Sequence, residues 1–298
     1  MRKKAAAAFV AAILTLMGLS GLFENELIEG YSRLLGFIGQ SGNEQIILGR
    51  EGWLFFSETL PDYLGETTDI AQAAETIKAY SDELKAHGIG FTFLCAPNKN
   101  SIYPEFMPYY TKQGDNSLPK LNQTLTDMGV DVVDAYTLLL NSKARGLLYH
   151  KTDSHWNALG AALVYRELMA HLGAPCEDDQ TTVWSETPFR GDLVHLYRPL
   201  SDDLVMDYAP EIPRKYKTKL PMRSVSDMRI ESESPANNLN LLVLRDSFGD
   251  ALFPYLANNA GRMVYSRQAA LDAEAAIAEN VSHVVFIIAQ RSLTAAFE

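Results

Sequence analysis

Two short stretches hold the residue types best suited to chemistry. One is Tyr149-His150-Lys151-Thr152-Asp153-Ser154-His155-Trp156-Asn157, the other Leu242-Val243-Leu244-Arg245-Asp246-Ser247-Phe248-Gly249. A serine alcohol is a poor nucleophile until a base takes its proton, and an imidazole is the better base when a carboxylate fixes its tautomer. Asp153, His155 and Ser247 supply those three roles. Asp153 and His155 are two positions apart in a segment without helical pattern, and in extended backbone such positions face the same way. Ser247 follows an apolar run, Leu239 to Leu244, and a helix-like segment starts at Phe248. That is the pattern of buried strand, sharp turn and helix. It sets the hydroxyl at the open end of a sheet, near helix N–H groups that favour an oxyanion. Taken by itself, Ser247 reads as a helix cap. The Asp–His pair upstream is what favours chemistry.

The T-D-S-H-W-N stretch at 152–157, followed by a Gly/Ala-rich helix, and the R-D-S-F stretch at 245–248 carry a family resemblance. Together they resemble the SGNH-hydrolase-like domain of the AlgJ and AlgX alginate O-acetyltransferases, which is related to the bacterial D-H-H-W proteins. The resemblance covers roughly residues 45 to 298. It implies that Asp153, His155 and Ser247 form a catalytic triad. Their order is circularly permuted relative to ordinary SGNH esterases, where Ser comes first. It also implies a polysaccharide acceptor and an acetyl donor relayed by a membrane-bound O-acyltransferase. G-x-x-G-W-L-F at 49–55, P-x-K-x-x-x-Y-P at 97–104 and Gly191-Asp192-Leu193 are similar to further family features, the last near the active-site rim. Gln290 departs from the pattern, because the family often has an acidic residue before Arg291.

Composition narrows the classes. The chain has 298 residues, enough for one large domain or two small ones, and a formal net charge of -11. Without Arg2, Lys3 and Lys4 the remainder is near -14. Such an acidic body argues against nucleic acid, whose phosphates need a basic surface, and is no bar to a neutral sugar. Of the two cysteines, Cys95 lies in an apolar run and reads as a buried thiol; a disulfide with Cys176 is open. No zinc-type spacing occurs, and the chemistry above requires neither cofactor nor metal.

The N-terminus reads as a membrane address. Arg2-Lys3-Lys4 precedes an uncharged run from Ala5 to Phe23, roughly 28 Å long as a helix. Residues 1–23 fit an uncleaved signal anchor or a cleaved signal peptide, with the anchor favoured because no A-x-A site follows. The expectation is a single-pass membrane protein with its catalytic body outside, or a secreted or periplasmic one if the segment is cleaved. Residues 24–44 then form a juxtamembrane helix or stalk, and 45–298 the SGNH-like domain.

Elements that could position the two motifs follow from periodicity. Buried strands are expected near 91, 131, 241, 263 and 284, alternating with helices over 69–87, 118–128, from Asn157 to Gly173, over 248–259 and over 271–279. This predicts an α/β fold, a three-layer α/β/α sandwich around a mainly parallel sheet. Ser247 and the Asp153/His155 loop must meet at its carboxyl edge. Ile46–Phe56 reads as a hairpin with Trp53 and Phe55 in the core. Lys99, Arg245 and Tyr149 are candidates for substrate binding. For Lys99 the alternative is a solvated loop lysine, and for Arg245 a structural salt bridge. His87, His150, His171, His195 and His283 read as structural. Residues 176–238 show little pattern and could shape an acceptor groove, with Trp184, Tyr197 and Tyr208 able to stack on sugars or to pack. The favoured function is O-acetylation of an extracytoplasmic polysaccharide through an acyl-enzyme. A carbohydrate acetyl esterase with the same triad and a non-enzymatic carbohydrate-binding scaffold are the alternatives.

Overall fold

The computed structural model describes residue 34 and residues 42–66, 70–108, 116–174, 184–198, 200, 204–268 and 270–297. In chain order the strands are β1 (Ile46–Leu48), β2 (Leu54–Phe56), β3 (Gly90–Ala96), β4 (Asp131–Val133), β5 (Trp184–Phe189), β6 (Val205–Pro210), β7 (Lys217–Thr218), β8 (Arg229–Glu233), β9 (Asn240–Arg245), β10 (Arg262–Ser266) and β11 (His283–Ala289). Leaving aside single turns, the helices are α1 (Ile70–Ala86), α2 (Ser117–Asp127), α3 (Ala135–Ser142), α4 (Ala158–His171), α5 (Asp192–Tyr197), α6 (Phe253–Asn259), α7 (Ala273–Ala278) and α8 (Leu293–Phe297).

The five apolar runs become the parallel centre of a seven-stranded sheet ordered β4-β3-β11-β9-β10-β8-β7. β8 and β7 join antiparallel at one edge. Because successive strand residues face opposite sides, one run feeds two cores. Phe91, Phe93 and Cys95 of β3 enter a layer with α1, α2 and α7, while Leu94 and Ala96 enter the layer holding α3, α4 and α6. β11 shows the reason for the parallel arrangement. Val284 to Ile288 are all essentially solvent-free, and each such side chain stabilises the fold by about 1.5–3 kcal/mol. A strand buried on both faces needs helices on both. The expected α/β/α sandwich is therefore observed.

Outside this frame, β1 and β2 form the expected hairpin, pairing Ile46 with Phe56 and Leu48 with Leu54. Trp53 and Phe55 are buried, Trp53 stacking on Phe106 at 4.5 Å between ring centres. β5 and β6 make a second hairpin inside the stretch that showed little pattern.

Two expectations are corrected. The continuous helix over 248–259 is instead a 3-10 segment, Ser247–Leu252, followed by α6. Gly249 lies so close to Arg245 and Tyr265 that an added Cβ would sit 2.8 Å from each, and its carbonyl accepts the Tyr265 hydroxyl at 2.6 Å. Those contacts hold the turn tight. The single-pass membrane segment is the second correction: no helix among the described residues is long and apolar enough to cross a membrane. The longest of them, α1, has 17 residues and buries only one stripe, Ala73, Ala74, Ile77, Tyr80 and Leu84. The segment 1–23, and 24–41 apart from Leu34, lie outside the described residues, as does Cys176.

Candidate active site

Ser247 opens the 3-10 turn that follows β9, at the carboxyl edge of the sheet. Asp246 builds this turn. Its Oδ1 accepts the Phe248 N–H at 2.9 Å and its Oδ2 accepts the Ala289 N–H at 2.6 Å. One carboxylate thus caps the turn and ties it to the end of β11.

The Asp–His loop reaches the same edge, as expected, but as a tight bend rather than as extended backbone. Tyr149 and Trp156 form an isolated antiparallel bridge, so residues 150–155 close a narrow bend. Trp156 donates its indole N–H to the Phe248 carbonyl at 3.1 Å and meets the Phe248 ring edge-on. Asn157 then caps α4, its Oδ1 accepting from the Leu159 and Gly160 N–H groups. A cap of this kind contributes about 1 kcal/mol. The bend is thereby held at both ends.

Within it, Asp153 Oδ1 accepts twice from His155: from the main-chain N–H at 2.9 Å and from ring Nδ1 at 2.7 Å. Ring Nε2 lies 2.7 Å from Ser247 Oγ. An ionised carboxylate can only accept, which assigns the proton to Nδ1 and leaves Nε2 to accept the serine O–H. Burial raises the Asp153 pKa, but hydrogen bonds from the His155 ring and the charge on that ring, with the Asp192 and His155 amides, outweigh it. The carboxyl is held well below its usual range. This relay can deprotonate a serine and stabilise the imidazolium that results.

Asp192 was visible in the sequence only as part of the Gly191-Asp192-Leu193 triplet. Its N–H donates to Asp153 Oδ2 at 2.8 Å. Its carboxylate accepts the Ser154 N–H at 2.8 Å and the Ser154 hydroxyl at 2.6 Å. Gly191 permits this approach, because a Cβ there would sit 2.0 Å from the Thr152 carbonyl oxygen. Asp153, His155 and Asp192 bring three metal-ligand-type atoms within 4.8 Å of one another. All three side chains already have hydrogen-bond partners in this relay.

The three other sequence candidates make their hydrogen bonds away from Ser247. Tyr149 is fully buried and donates to the Pro97 carbonyl at 2.6 Å. Arg245 is fully buried, paired with Asp250 and donating to the Val225 and Asp227 carbonyls. Lys99 is buried and donates to three loop carbonyls. Of the three, Lys99 bonds to the loop that carries Asp153 and His155. His150 pairs with Asp207 and stacks on Phe189 at 3.9 Å, joining the loop to the β5–β6 hairpin. Gln290 accepts the Asn98 N–H at 3.0 Å and donates to Asn116 and Asp62. Trp184 and Tyr208 line a cavity of about 650 Å³ with Arg145, Lys151 and Tyr149. Tyr197 lines a separate one of about 640 Å³ that includes Thr152.

The family model described as the SGNH hydrolase-like domain of the acetyltransferase AlgX matches residues 46–238. The chain belongs to this family. The match takes in Asp153, His155 and Asp192 and stops short of Ser247. Among relatives of the AlgX-type domain, the probable alginate O-acetylase AlgJ of Pseudomonas aeruginosa is 27% identical over 181 residues, 55% of this chain and 44% of that protein. The AlgJ of Azotobacter vinelandii is 24% identical over 211 residues, 65% of this chain and 53% of that protein. The chain thus spans about half the length of the curated relatives it matches. The O-acetyltransferase domain of Pseudomonas putida AlgJ superposes with TM-score 0.57 and 18% identity, covering 84% of this chain and 92% of that one. Bacillus cereus PatB1 superposes with TM-score 0.62 and 17% identity, covering 85% and 98%. These likenesses establish the SGNH-hydrolase-like fold.

Proposed function

We propose that this acetyltransferase-family chain is a serine acyltransferase that O-acetylates a polysaccharide through an acetyl-enzyme. The observation that carries the reading is the unbroken relay Asp153–His155–Ser247, with both links at 2.7 Å. Ser247 Oγ attacks the acetyl carbonyl carbon while its proton passes to His155 Nε2. The tetrahedral intermediate collapses, the donor oxygen leaves with that proton, and the acetyl group stays on Ser247. An acceptor hydroxyl then attacks, giving its proton to Nε2 and releasing Ser247. Asp153 stabilises the imidazolium in both halves. The Phe248 and Gly249 N–H groups are both taken by Asp246. The Ser247 N–H, at the first position of the turn, is therefore the backbone donor proposed for the oxyanion. The donor proposed is an acetyl group relayed by a membrane-bound O-acyltransferase.

The acceptor surface proposed is the cavity bounded by Lys151, Trp184 and Tyr208. Aromatic rings beside cations suit a sugar face with polar or charged substituents. Alginate, named in the relatives' descriptions, is the first acceptor to try. The test is wild type against Ser247→Ala, assayed with an aryl acetate with and without oligosaccharide. The expected result is an acetyl adduct on Ser247, acetylated sugar from the wild type, and loss of turnover by at least about 10³-fold in the variant. Free acetate with no acetylated sugar from any acceptor would favour the esterase. Unimpaired function of Ser247→Ala would leave only the scaffold.

A further inference from the structure

We propose that Lys99 is a positioning residue for acyl transfer: its ammonium gathers the His150, Lys151 and Asp153 carbonyls and so sets the loop that aims His155 at Ser247. This rests on the serine-relay reading above and adds to it a device that keeps the relay aligned. Lys99 opens a one-turn helix, Lys99–Ile102, where β3 leaves the sheet. Its backbone is fixed there, since Asn98 N donates to Gln290 Oε1 and Tyr103 N donates to Lys99 O. From this rigid edge the side chain runs beneath the bend. Nζ donates to His150 O at 3.2 Å, Lys151 O at 3.1 Å and Asp153 O at 2.7 Å.

An ammonium has three donors, and here three carbonyls receive them. A buried charge without partners would be expelled or neutralised. Lys99, only 4% exposed, is held because those carbonyls replace water. Trp53 and Phe55 close the other side, their ring centres 5.5 and 5.1 Å from Nζ, a cation–π wall. Leu54 N–H adds a second tie to Lys151 O at 2.9 Å. Burial lowers the Lys99 pKa to about 7, against the pull of the Asp153 and Asp192 carboxylates. The bend carrying Asp153 and His155 is thus clamped from below by Lys99 and from the side by Asp192. A shift of about 1 Å in such a relay can lower turnover by about 10²-fold.

Lys99→Met keeps most of the side-chain bulk and removes all three donors. The expected result is a folded protein whose kcat for an aryl acetate falls at least tenfold at unchanged KM. Sulfonylation of Ser247 by a sulfonyl fluoride should slow by a similar factor. Lys99→Gln, which keeps one amide donor group, should fall between the two. A kcat within twofold of wild type, or a loss confined to KM, would overturn the proposal. If neither variant accumulates folded, the Lys99 Nζ resonance of ¹⁵N-labelled wild type decides. It should shift when Ser247 is sulfonylated, and an unmoved resonance overturns the proposal. Failure of the relay reading itself would show differently, as turnover by Ser247→Ala.

Discussion

One oxygen of Asp153 serves His155 twice, accepting its ring Nδ1–H at 2.7 Å and its main-chain N–H at 2.9 Å. The same contact therefore fixes the residue's backbone and the tilt of its ring. The second oxygen is taken by the Asp192 N–H at 2.8 Å, so the carboxylate has little freedom to turn. Such preorganisation stabilises a transition state without reorganisation at the moment of reaction.

Asp153→Asn should keep the fold and lose the chemistry. An amide in place of the carboxylate can no longer demand the Nδ1 proton, and the ring can present the wrong tautomer to Ser247. The expected fall in kcat is about 10³–10⁴-fold, with an unchanged circular dichroism spectrum. Steady-state hydrolysis of an aryl acetate measures it.

Acid should destabilise the wild type more than that variant. Asp153 has its ordinary carboxyl value, 3.8, when unfolded, and is held below it when folded. Its contribution to stability is complete above about pH 4–5 and is lost as pH falls toward the folded value. Melting temperature measured from pH 6 down to pH 3 should fall more steeply for wild type than for Asp153→Asn. Parallel curves would rule out the low carboxyl value.

Gly191→Ala should damage the relay while leaving the side chains of Asp153, His155 and Ser247 chemically unchanged. The new Cβ would meet the Thr152 carbonyl and Asp153 N, at 2.0 and 2.7 Å, so the α5 start must back away. The Asp192 contacts to Asp153 and Ser154 would then lengthen. A stability loss of about 1–3 kcal/mol is expected, with a kcat deficit that remains at temperatures where the variant is fully folded. Urea unfolding and kinetics on one preparation separate the two effects.

Arg245→Met should act in the opposite sense. The guanidinium is buried and holds Asp250 together with the Val225 and Asp227 carbonyls. Removing one partner of such a group costs about 3–5 kcal/mol. The urea midpoint should drop sharply while KM for folded enzyme stays the same. A raised KM at normal stability would restore Arg245 as a substrate contact.

The fold class and the residues of the candidate site were legible because both have local signatures. The strands near 91, 131, 241, 263 and 284 announced themselves as apolar runs, since a strand buried on both faces has no polar side to show. Ser247 stood out at the end of one such run, and Asp153 and His155 as an acid–base pair in a polar loop. β5 and β8 were not legible. Their sequences, Trp184-Ser185-Glu186-Thr187-Pro188-Phe189 and Arg229-Ile230-Glu231-Ser232-Glu233, are half polar; β5 pairs only with β6 in a separate hairpin, and β8 lies toward one edge of the main sheet. Lys99 and Asp192 stood out in the sequence, the first as a candidate substrate contact and the second in the Gly191-Asp192-Leu193 triplet, but what they bond to did not. Their partners are mostly backbone carbonyls and N–H groups, which every residue has, so no residue type marks them.

The sequence by itself determined which atoms could take part: one hydroxyl, one imidazole and one carboxylate, set at strand and helix ends by apolar patterning and capping residues. Only the tertiary structure decided that they touch. His155 and Ser247 are 92 positions apart, and their approach depends on parallel pairing of β9 with β11 and on a bend braced by Lys99 and Asp192. Contacts of that range are set by how whole elements pack, and packing is a property of the assembled chain rather than of any stretch of it.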